Sequence, residues 1–305
     1  METLNVFYEQ IKVGSLSIDD KRQFSFKYSR EWLTLPDAFQ ISISLPMQEE
    51  VFPHDKVKSF FSNLLPESAV RKLISKQLGI SDKNDFMLLK RIGGECAGAI
   101  SILPESEVPE SPDQYIYHPL SDKQLVDLIM NIPNRPLLAS QEGIRISLAG
   151  AQEKLALLYK DHQFSIPANG APSNVILKPA MAHFQASIEN ECFCMMLAGA
   201  VDLTVPPVSI VREESQKVLL INRYDRILKD GVLFRIHQED FCQAMGLSHE
   251  LKYQADGGPG LKACFSLIRA YSANPIKDLQ QLMQWVFFNL LIGNMDAHAK
   301  NLSLM

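Results

Sequence analysis

Several features that define common protein classes are missing from this chain of 305 residues. Its five cysteines include no C-x-x-C pair, and its seven histidines stand singly, without a His-x₃-His pair or a His/Cys cluster. Structural zinc sites and disulfide frameworks depend on such spacings. We therefore expect reduced thiols that fill the core, and no zinc.

Long apolar runs and an excess of positive charge are missing as well. No stretch approaches the roughly 20 apolar residues that a bilayer-spanning helix needs, and residues 1–5 lack a basic segment followed by an apolar one. A net charge of −5 argues against a protein that coats nucleic acid along its whole surface. We expect a cytoplasmic protein that does not bind membranes and meets DNA only indirectly, through a partner.

The composition is that of a globular protein, with 46% hydrophobic and 21% charged residues. Its pattern predicts four parts: a compact α+β unit (1–104), a connection and short helix (105–139), a strand-rich region (140–226) and a helical region (227–305). Within the first unit, residues 41–45 alternate like a strand, helices are predicted near 57–65 and 67–78, and a strand near 99–103 returns to the first sheet. The proline-rich stretch 104–119 is predicted to be a surface connection, and Ser121 to cap the short helix.

The strand-rich region has the element order of a protein-kinase small lobe. Strands are predicted at 145–148, 154–159, 163–166, 174–178, 208–211 and 217–221, with a helix from 187 to about 200 after the fourth strand. Many α+β domains share this order. The residues placed on these elements therefore decide more than the order does.

Lys178 ends a strand of apolar residues, Val175, Ile176 and Leu177. An ATP-binding lobe needs a strand-borne ammonium at the α- and β-phosphates. Glu191, thirteen residues further on and within the predicted helix, is a possible partner that would position this lysine. Glu189 is a rival for that role, and an ordinary strand-end lysine with a solvated glutamate is the simpler alternative.

The segment 147–154 joins the first two strands, where a kinase carries its glycine-rich phosphate loop. It contains one glycine and so does not match G-x-G-x-x-G. The small residues Ala149, Gly150 and Ala151 would still allow backbone N–H groups to approach a phosphate. A plain hairpin turn is the alternative.

Residues 222–226 follow a buried strand at the position where a two-lobed kinase binds adenine through backbone hydrogen bonds. Asp225 has two further options, contact with Lys178 or with a metal ion. A surface charge cluster at a strand end is the simpler interpretation.

Asp296 and Asn301 lie five residues apart in the sequence DAHAKN, after an apolar helix that includes Trp285. A phosphotransferase loop uses this spacing to place a base beside the acceptor hydroxyl and an amide oxygen on Mg²⁺. The pattern Asp-x₄-Asn occurs by chance in many chains. The interpretation of Asp296 and Asn301 as a catalytic loop therefore depends on the strand that ends in Lys178 and on the segment 147–154 upstream.

Together these motifs resemble the HipA family of bacterial serine/threonine kinase toxins. The matching segments are RISLAGAQEK (145–154), ILK (176–178), RYDR (223–226), QEDFCQ (238–243), DGGPG (256–260) and DAHAKN (296–301). LP (45–46), FFSNLLPE (60–67) and GGECAGA (93–99) are similar to the N-terminal subdomain of that family. The resemblance covers the whole chain in order.

The resemblance implies an α+β, protein-kinase-like two-lobed fold with an extra N-terminal subdomain, and ATP and Mg²⁺ as cofactors. It implies Asp296 as catalytic base, Asn301 as magnesium ligand, and Ser147 as the site of autophosphorylation, which would expel the nucleotide loop. The implied ATP-binding residues are Ala149, Gly150, Ala151, Gln152, Lys154, Lys178, Asn222, Arg223, Tyr224 and Asp225.

The resemblance also implies partners. The family phosphorylates a tRNA synthetase, notably the glutamyl enzyme, and so slows translation and growth. A HipB-like helix-turn-helix antitoxin that binds operator DNA restrains it. These are expectations for the present chain.

The family continues past the catalytic loop, through a second metal-binding aspartate and several helices. If Met305 is the natural end, the large lobe is incomplete and we expect weak phosphoryl transfer or none. The alternative function is then a catalytically incomplete fragment that binds antitoxin or a complementary chain. A phosphotransferase acting on a small molecule or lipid is a third interpretation, because the loop chemistry does not fix the acceptor.

Overall fold

The N-terminal part of the chain forms an α+β unit, as the sequence pattern predicts. The structure is a computed structural model and describes residues 1–139, 141, 143–213 and 216–305. The first elements are β1 (Glu2–Tyr8), β2 (Ile11–Ile18), β3 (Phe24–Tyr28), α1 (Arg30–Thr34), α2 (His54–Ser62), α3 (Ser68–Leu78), α4 (Asp85–Ile92) and β4 (Ile100–Pro104). The strands form an antiparallel sheet in the order β3-β2-β1-β4. The predicted return of the 99–103 strand to this sheet is confirmed.

The predicted strand at residues 41–45 is wrong. These residues form a turn closed by a bridge between Ser42 and Leu45. The Tyr28 hydroxyl donates to the Leu45 carbonyl and accepts from the Ile41 N–H, so the backbone groups that a strand would pair are used by a side chain. Tertiary contacts override the alternating pattern here.

The second sheet corresponds to the strand-rich region. Its elements are β5 (Ile116–Pro119), α5 (Asp122–Asn131), β6 (Leu155–Lys160), β7 (Gln163–Ala168), β8 (Val175–Pro179), α6 (Ser187–Ala200), β9 (Val208–Glu213) and β10 (Gln216–Asn222). The sheet has six strands in the order β5-β7-β6-β8-β10-β9, and α6 packs against β9 and β10. The predicted cap of α5 is confirmed, because Ser121 and Gln124 form a capping box.

Two predictions in this region are wrong. The stretch 104–119 is not only a connection, because residues 116–119 add β5 to the sheet edge, where a terminal proline needs no ladder donor. Residues 145–148 do not form a strand. Only Ile146 pairs, in an isolated parallel bridge to Glu95, because this segment runs along the N-terminal unit instead of joining the sheet.

The last part of the chain consists of short strands and helices around its own apolar cluster. The elements are β11 (Arg226–Lys229), β12 (Val232–Arg235), β13 (Glu239–Asp240), α7 (Phe241–Ala244), α8 (Leu261–Tyr271), α9 (Pro275–Leu291) and β14 (Ser303–Leu304). The helix α7 has Asp240 as its N-cap. Phe241, Cys264 and Leu282 lie in the core that α7, α8 and α9 share.

One large core joins the N-terminal unit to the second sheet. Phe60, Leu64 and Ile146 belong to the same buried cluster as Leu157 and Leu177. The N-terminal unit is thus packed directly on the region that carries Lys178. Among the residues that the structure describes, no helix is long and apolar enough to cross a membrane.

Candidate active site

Lys178 and Glu191 form an ion pair between β8 and α6. The Lys178 Nζ lies 2.6 Å from the Glu191 Oε1, and both side chains are partly buried. The rival Glu189 is committed elsewhere, since its Oε1 accepts from the Lys217 Nζ at 2.9 Å. The pair holds a flexible lysine in one orientation on a rigid strand, as phosphate binding requires.

The segment 147–154 lies beside this pair. Gly150 has a φ of +108°, a conformation that favours glycine, and a Cβ there would lie 3.2 Å from the Lys154 Nζ. The Lys154 ammonium donates to the Ala149 carbonyl at 3.0 Å. Both lysines and the small-residue loop thus belong to one site.

The Lys154 side chain is buried beside a like charge. Its pKa is lowered to about 8, mainly by burial and next by the Lys178 ammonium, while the Glu67 carboxylate acts in the opposite direction. An incoming polyphosphate would favour the charged form.

Ser147 is fully buried in this structure. Its hydroxyl donates to the Leu64 carbonyl at 2.8 Å, and its N–H donates to the Glu95 carbonyl at 2.8 Å. A kinase cannot reach this hydroxyl in its present position. Gln152 of the same loop donates from its side-chain amide to the Pro179 carbonyl at 3.4 Å.

The predicted adenine segment is placed differently from the expectation. The Arg223 and Asp225 side chains are buried together with Arg226 and Glu95, and Asp225 also accepts from the Gly98 N–H at 2.8 Å. Burial would raise the pKa of Asp225, but the two guanidinium groups outweigh it and hold the pKa well below its ordinary value. The cluster fastens this segment to residues 95–98, and Asp225 is engaged there and not with Lys178.

Two backbone donors of that segment, at Asn222 and Arg223, are also engaged. The Asn222 N–H donates to the Pro207 carbonyl at 3.0 Å, and the Arg223 N–H donates to the Asn174 carbonyl at 2.8 Å. Tyr224 is half exposed, and its hydroxyl contacts Gln238 and Ser303. Of the four predicted residues, Asn222 and Tyr224 are exposed, whereas Arg223 and Asp225 are buried.

Asp296 lies on the loop that follows α9, with its carboxylate 75% exposed. Its N–H donates to the Asn294 Oδ1 at 3.0 Å, and the Asn294 amide donates to the Asn289 Oδ1 on α9 at 2.6 Å. The Tyr253 hydroxyl donates to the Asp296 carboxylate. This bond is the main reason that the pKa of Tyr253 rises to about 12, with burial adding to it. The carboxylate is held in place and open to an acceptor.

Asn301 closes the same loop. Its side-chain amide nitrogen donates to the Asp296 backbone carbonyl at 2.7 Å. The amide oxygen and the Asp296 carboxylate are oxygen ligands of the kind that Mg²⁺ prefers, and Mg²⁺ usually takes one or two protein oxygens together with substrate phosphates. These donors, with the two ammonium groups, fit a magnesium nucleotide.

Sequence reasoning missed the residues that support the loop. The Lys300 ammonium is buried and donates to the Asp240 Oδ2 at 2.6 Å and to Asn63. Glu67 is buried and pairs with Lys252. Glu67, a carboxylate directly after the apolar residues 64–66, was a signal in the sequence, but its partners Lys252 and Lys300 lie about two hundred positions away and no local pattern identifies them.

The paired lysine and glutamate, the small-residue loop and the Asp-x₄-Asn loop define a phosphotransferase of the protein-kinase type. The family model for the HipA-like C-terminal domain matches residues 146–305, and the model for the HipA N-terminal domain matches residues 4–103. The chain belongs to the HipA family, as its motifs predicted.

Known proteins with kinase or HipA names are similar to this chain over nearly its whole length. A candidate kinase of Sinorhizobium fredii, Y4mE, is 43% identical over 100% of this chain and 74% of its own length. The serine/threonine-protein kinase toxin HipA of Shewanella oneidensis is 31% identical over 99% of this chain and 71% of its own length. A solved structure of the Shewanella oneidensis HipA, HipB and operator DNA complex matches with a TM-score of 0.81 and 30% identity, over 99% of this chain and 72% of that one. The predicted fold class is confirmed.

Proposed function

We propose that this chain transfers the γ-phosphoryl group of ATP to a serine or threonine hydroxyl of a protein. The observation that carries the proposal is the Lys178–Glu191 ion pair at 2.6 Å, beside a small-residue loop and a second ammonium, Lys154. Such a pair supports a phosphate-binding lysine in the orientation that phosphoryl transfer needs. Kinase relatives of the same family support it as well.

In this proposal each residue has one role. Lys178 holds the α- and β-phosphates, and the backbone at Ala149, Gly150 and Ala151 covers them. Asp296 accepts the proton of the acceptor hydroxyl, for which its exposed and fixed carboxylate is suited. Asn301 would bind Mg²⁺, which supplies charge neutralisation between the phosphates when bound.

The acceptor that we propose is a tRNA synthetase, the glutamyl enzyme by family, with slower translation and growth as the result. A second acceptor is Ser147 of the chain itself. Because its hydroxyl is buried against Leu64, residues 147–154 must leave their present position before transfer. A phosphate there would prevent the loop from returning, since a doubly charged group does not fit a buried site with one carbonyl partner.

The proposed regulatory partner is a HipB-like antitoxin, through which DNA would be reached. The support is the solved complex of a related HipA with HipB and operator DNA. The net charge of −5 agrees with an indirect contact to DNA.

Incubation with Mg²⁺ and γ-labelled ATP tests the function, with and without glutamyl-tRNA synthetase and its tRNA, followed by mass-spectrometric mapping of the phosphate. Label on the synthetase or on Ser147 is expected. Nucleotide binding without any label would instead identify a binding protein that does not transfer phosphate. Label on another protein of a whole-cell lysate, with the synthetase unlabelled, would keep the kinase and refute the substrate.

A further inference from the structure

The segment between α2 and α3, residues 63–67, belongs to the N-terminal unit but contacts both loops of the candidate site. We propose that this segment, the clamp segment, is a positioning element that fixes the catalytic loop (293–301) relative to the nucleotide loop (147–154), with Glu67 as its key side chain. The proposal deepens the proposed function and rests on it for its catalytic meaning.

The clamp segment first contacts the nucleotide loop. The Leu64 carbonyl accepts from the Ser147 hydroxyl at 2.8 Å, and the Glu67 N–H donates to the Gly150 carbonyl at 3.1 Å. Pro66 and Gly150 form a parallel bridge. The loop that would cover the phosphates is therefore held by backbone groups of the N-terminal unit.

The same segment also contacts the catalytic loop. The Lys300 ammonium donates to the Asn63 Oδ1 at 2.7 Å and to the Asn63 carbonyl at 3.2 Å. Lys300 directly precedes Asn301, the proposed magnesium ligand. Asn63 thus fixes one end of the catalytic loop.

Glu67 reaches Asp296 by a second route. Its Oε2 accepts from the Lys252 Nζ at 2.9 Å, and the Lys252 carbonyl accepts from the Ala299 N–H at 3.2 Å. The next residue, Tyr253, donates its hydroxyl to the Asp296 carboxylate. One buried carboxylate therefore supports both the catalytic loop and the residue that orients the proposed base.

The charge on Glu67 is maintained by its partners. Burial would raise its pKa, but the Lys300 and Lys252 ammonium groups outweigh burial and lower it below the ordinary value. A buried, paired carboxylate of this kind fixes geometry, and removing its charge leaves the Lys252 ammonium without its carboxylate partner, while Lys300 keeps Asp240. Loss of the charge is therefore expected to loosen the loops that the ammonium groups support.

The N-terminal unit does not need Glu67 to pack against the second sheet. The large core already joins the N-terminal unit to the second sheet through Leu64, Ile146 and Leu157. The contacts of Glu67 with Gly150, Lys252 and Lys300 lie outside that core. This placement favours a positioning role.

Hydrogen–deuterium exchange of the nucleotide-free full chain tests the clamp, with Glu67→Gln as the variant. Exchange is expected to become about tenfold faster in 293–301, because the charge pairs of Glu67 with Lys252 and Lys300 are lost. It should change less in 147–154, which the backbone of the clamp segment holds. Lys252→Met should have the same effect on 293–301, and the double variant should exceed neither single variant by more than about twofold.

The matched control is Asp85→Asn. Asp85 is also a buried carboxylate of the N-terminal unit, but it pairs with Arg71 and Ser62 inside that unit. It should leave exchange in both loops unchanged. Unchanged loops in Glu67→Gln, or equal changes in both variants, would overturn the clamp.

Kinetics give a second readout in the transfer assay. Glu67→Gln is expected to lower kcat about 10- to 100-fold while KM for ATP changes less than about threefold, because a misplaced base affects the transfer step more than nucleotide binding. If kcat fell only in proportion to the fraction of the variant that is folded, the positioning role would be overturned. The exchange experiment needs no nucleotide, so it decides the clamp even if the wild-type chain transfers no phosphate and the proposed function fails.

Discussion

At the scale of single residues, the candidate site contains two lysines with different environments. Lys178 is paired with Glu191 at 2.6 Å, whereas Lys154 is buried and donates to a carbonyl. The sequence spacing predicted that Lys178 and Glu191 could pair, because the strand and the helix that carry them are regular. It could not rank Glu191 above Glu189, since that choice depends on where Lys217 lies after folding.

The two glutamates of α6 provide a matched pair of variants. Glu191→Gln should lower phosphoryl transfer about 10- to 100-fold, because Lys178 loses the carboxylate that orients it. Glu189→Gln removes only a largely exposed pair with Lys217 and should change transfer less than about twofold. Steady-state kinetics of both variants decide the assignment, and equal effects would contradict it.

Lys154 predicts proton uptake on nucleotide binding. With a pKa of about 8, this lysine is roughly half charged near that pH, and bound phosphates should complete its protonation. Calorimetric titration in two buffers of different ionisation enthalpy should show an uptake of about half a proton for wild type relative to Lys154→Arg, which stays charged. The same uptake in both proteins would contradict the prediction.

At the scale of elements, local patterns predicted most helices and strands and failed where distant contacts take over. The capped helix α5 and the lysine strand β8 follow from local signals. Residues 41–45 were misassigned because Tyr28 binds their backbone, and β5 was missed because its partner strand β7 lies over forty positions away. The partners Ser147 and Leu64 are even further apart in sequence, by 83 positions.

The buried position of Ser147 predicts opposite behaviour for two substitutions. Ser147→Ala removes one hydrogen bond and should cost about 1 kcal/mol of unfolding free energy. Ser147→Asp places a charge in a buried site and should release residues 147–154 from Leu64. Limited proteolysis should then cut Ser147→Asp within this loop while Ser147→Ala and wild type stay resistant. Equal resistance of all three would refute the buried placement.

At the scale of the whole molecule, the N-terminal unit contacts both other parts of the chain. It shares a core with the second sheet, and its turn at 41–45 contacts Glu239 and His237 of the C-terminal part. The family and the two-lobed fold could be predicted from the sequence because motifs carry them. The polar contacts between the parts could not be predicted, because they depend on single side chains such as Glu239 whose partners are distant in sequence.

Glu239 predicts a dependence of stability on pH. Burial raises its pKa to about 7, and hydrogen bonds from Ser42 and Ile43 oppose the shift. The folded chain therefore keeps a proton that the unfolded chain has released, and the resulting stabilisation is full below the unfolded pKa of the carboxyl and is lost as the pH rises through about 7.

Glu239→Gln tests this dependence. The unfolding free energy of the variant minus that of wild type should be about 1–3 kcal/mol higher at about pH 8 than at about pH 5, because the variant has no buried charge to form. Urea unfolding at the two pH values measures the difference. A difference that does not change with pH would contradict the shifted pKa.

The most direct test of the central claim compares Asp296→Asn with Asp230→Asn in magnesium-dependent transfer from γ-labelled ATP. Asp230 lies on an exposed turn between β11 and β12, so its substitution controls for loss of one surface carboxylate. Wild type and Asp230→Asn should transfer equally, and Asp296→Asn should be slower by about 100- to 10,000-fold with unchanged nucleotide affinity. Equal transfer by all three proteins would show that Asp296 is not the catalytic base.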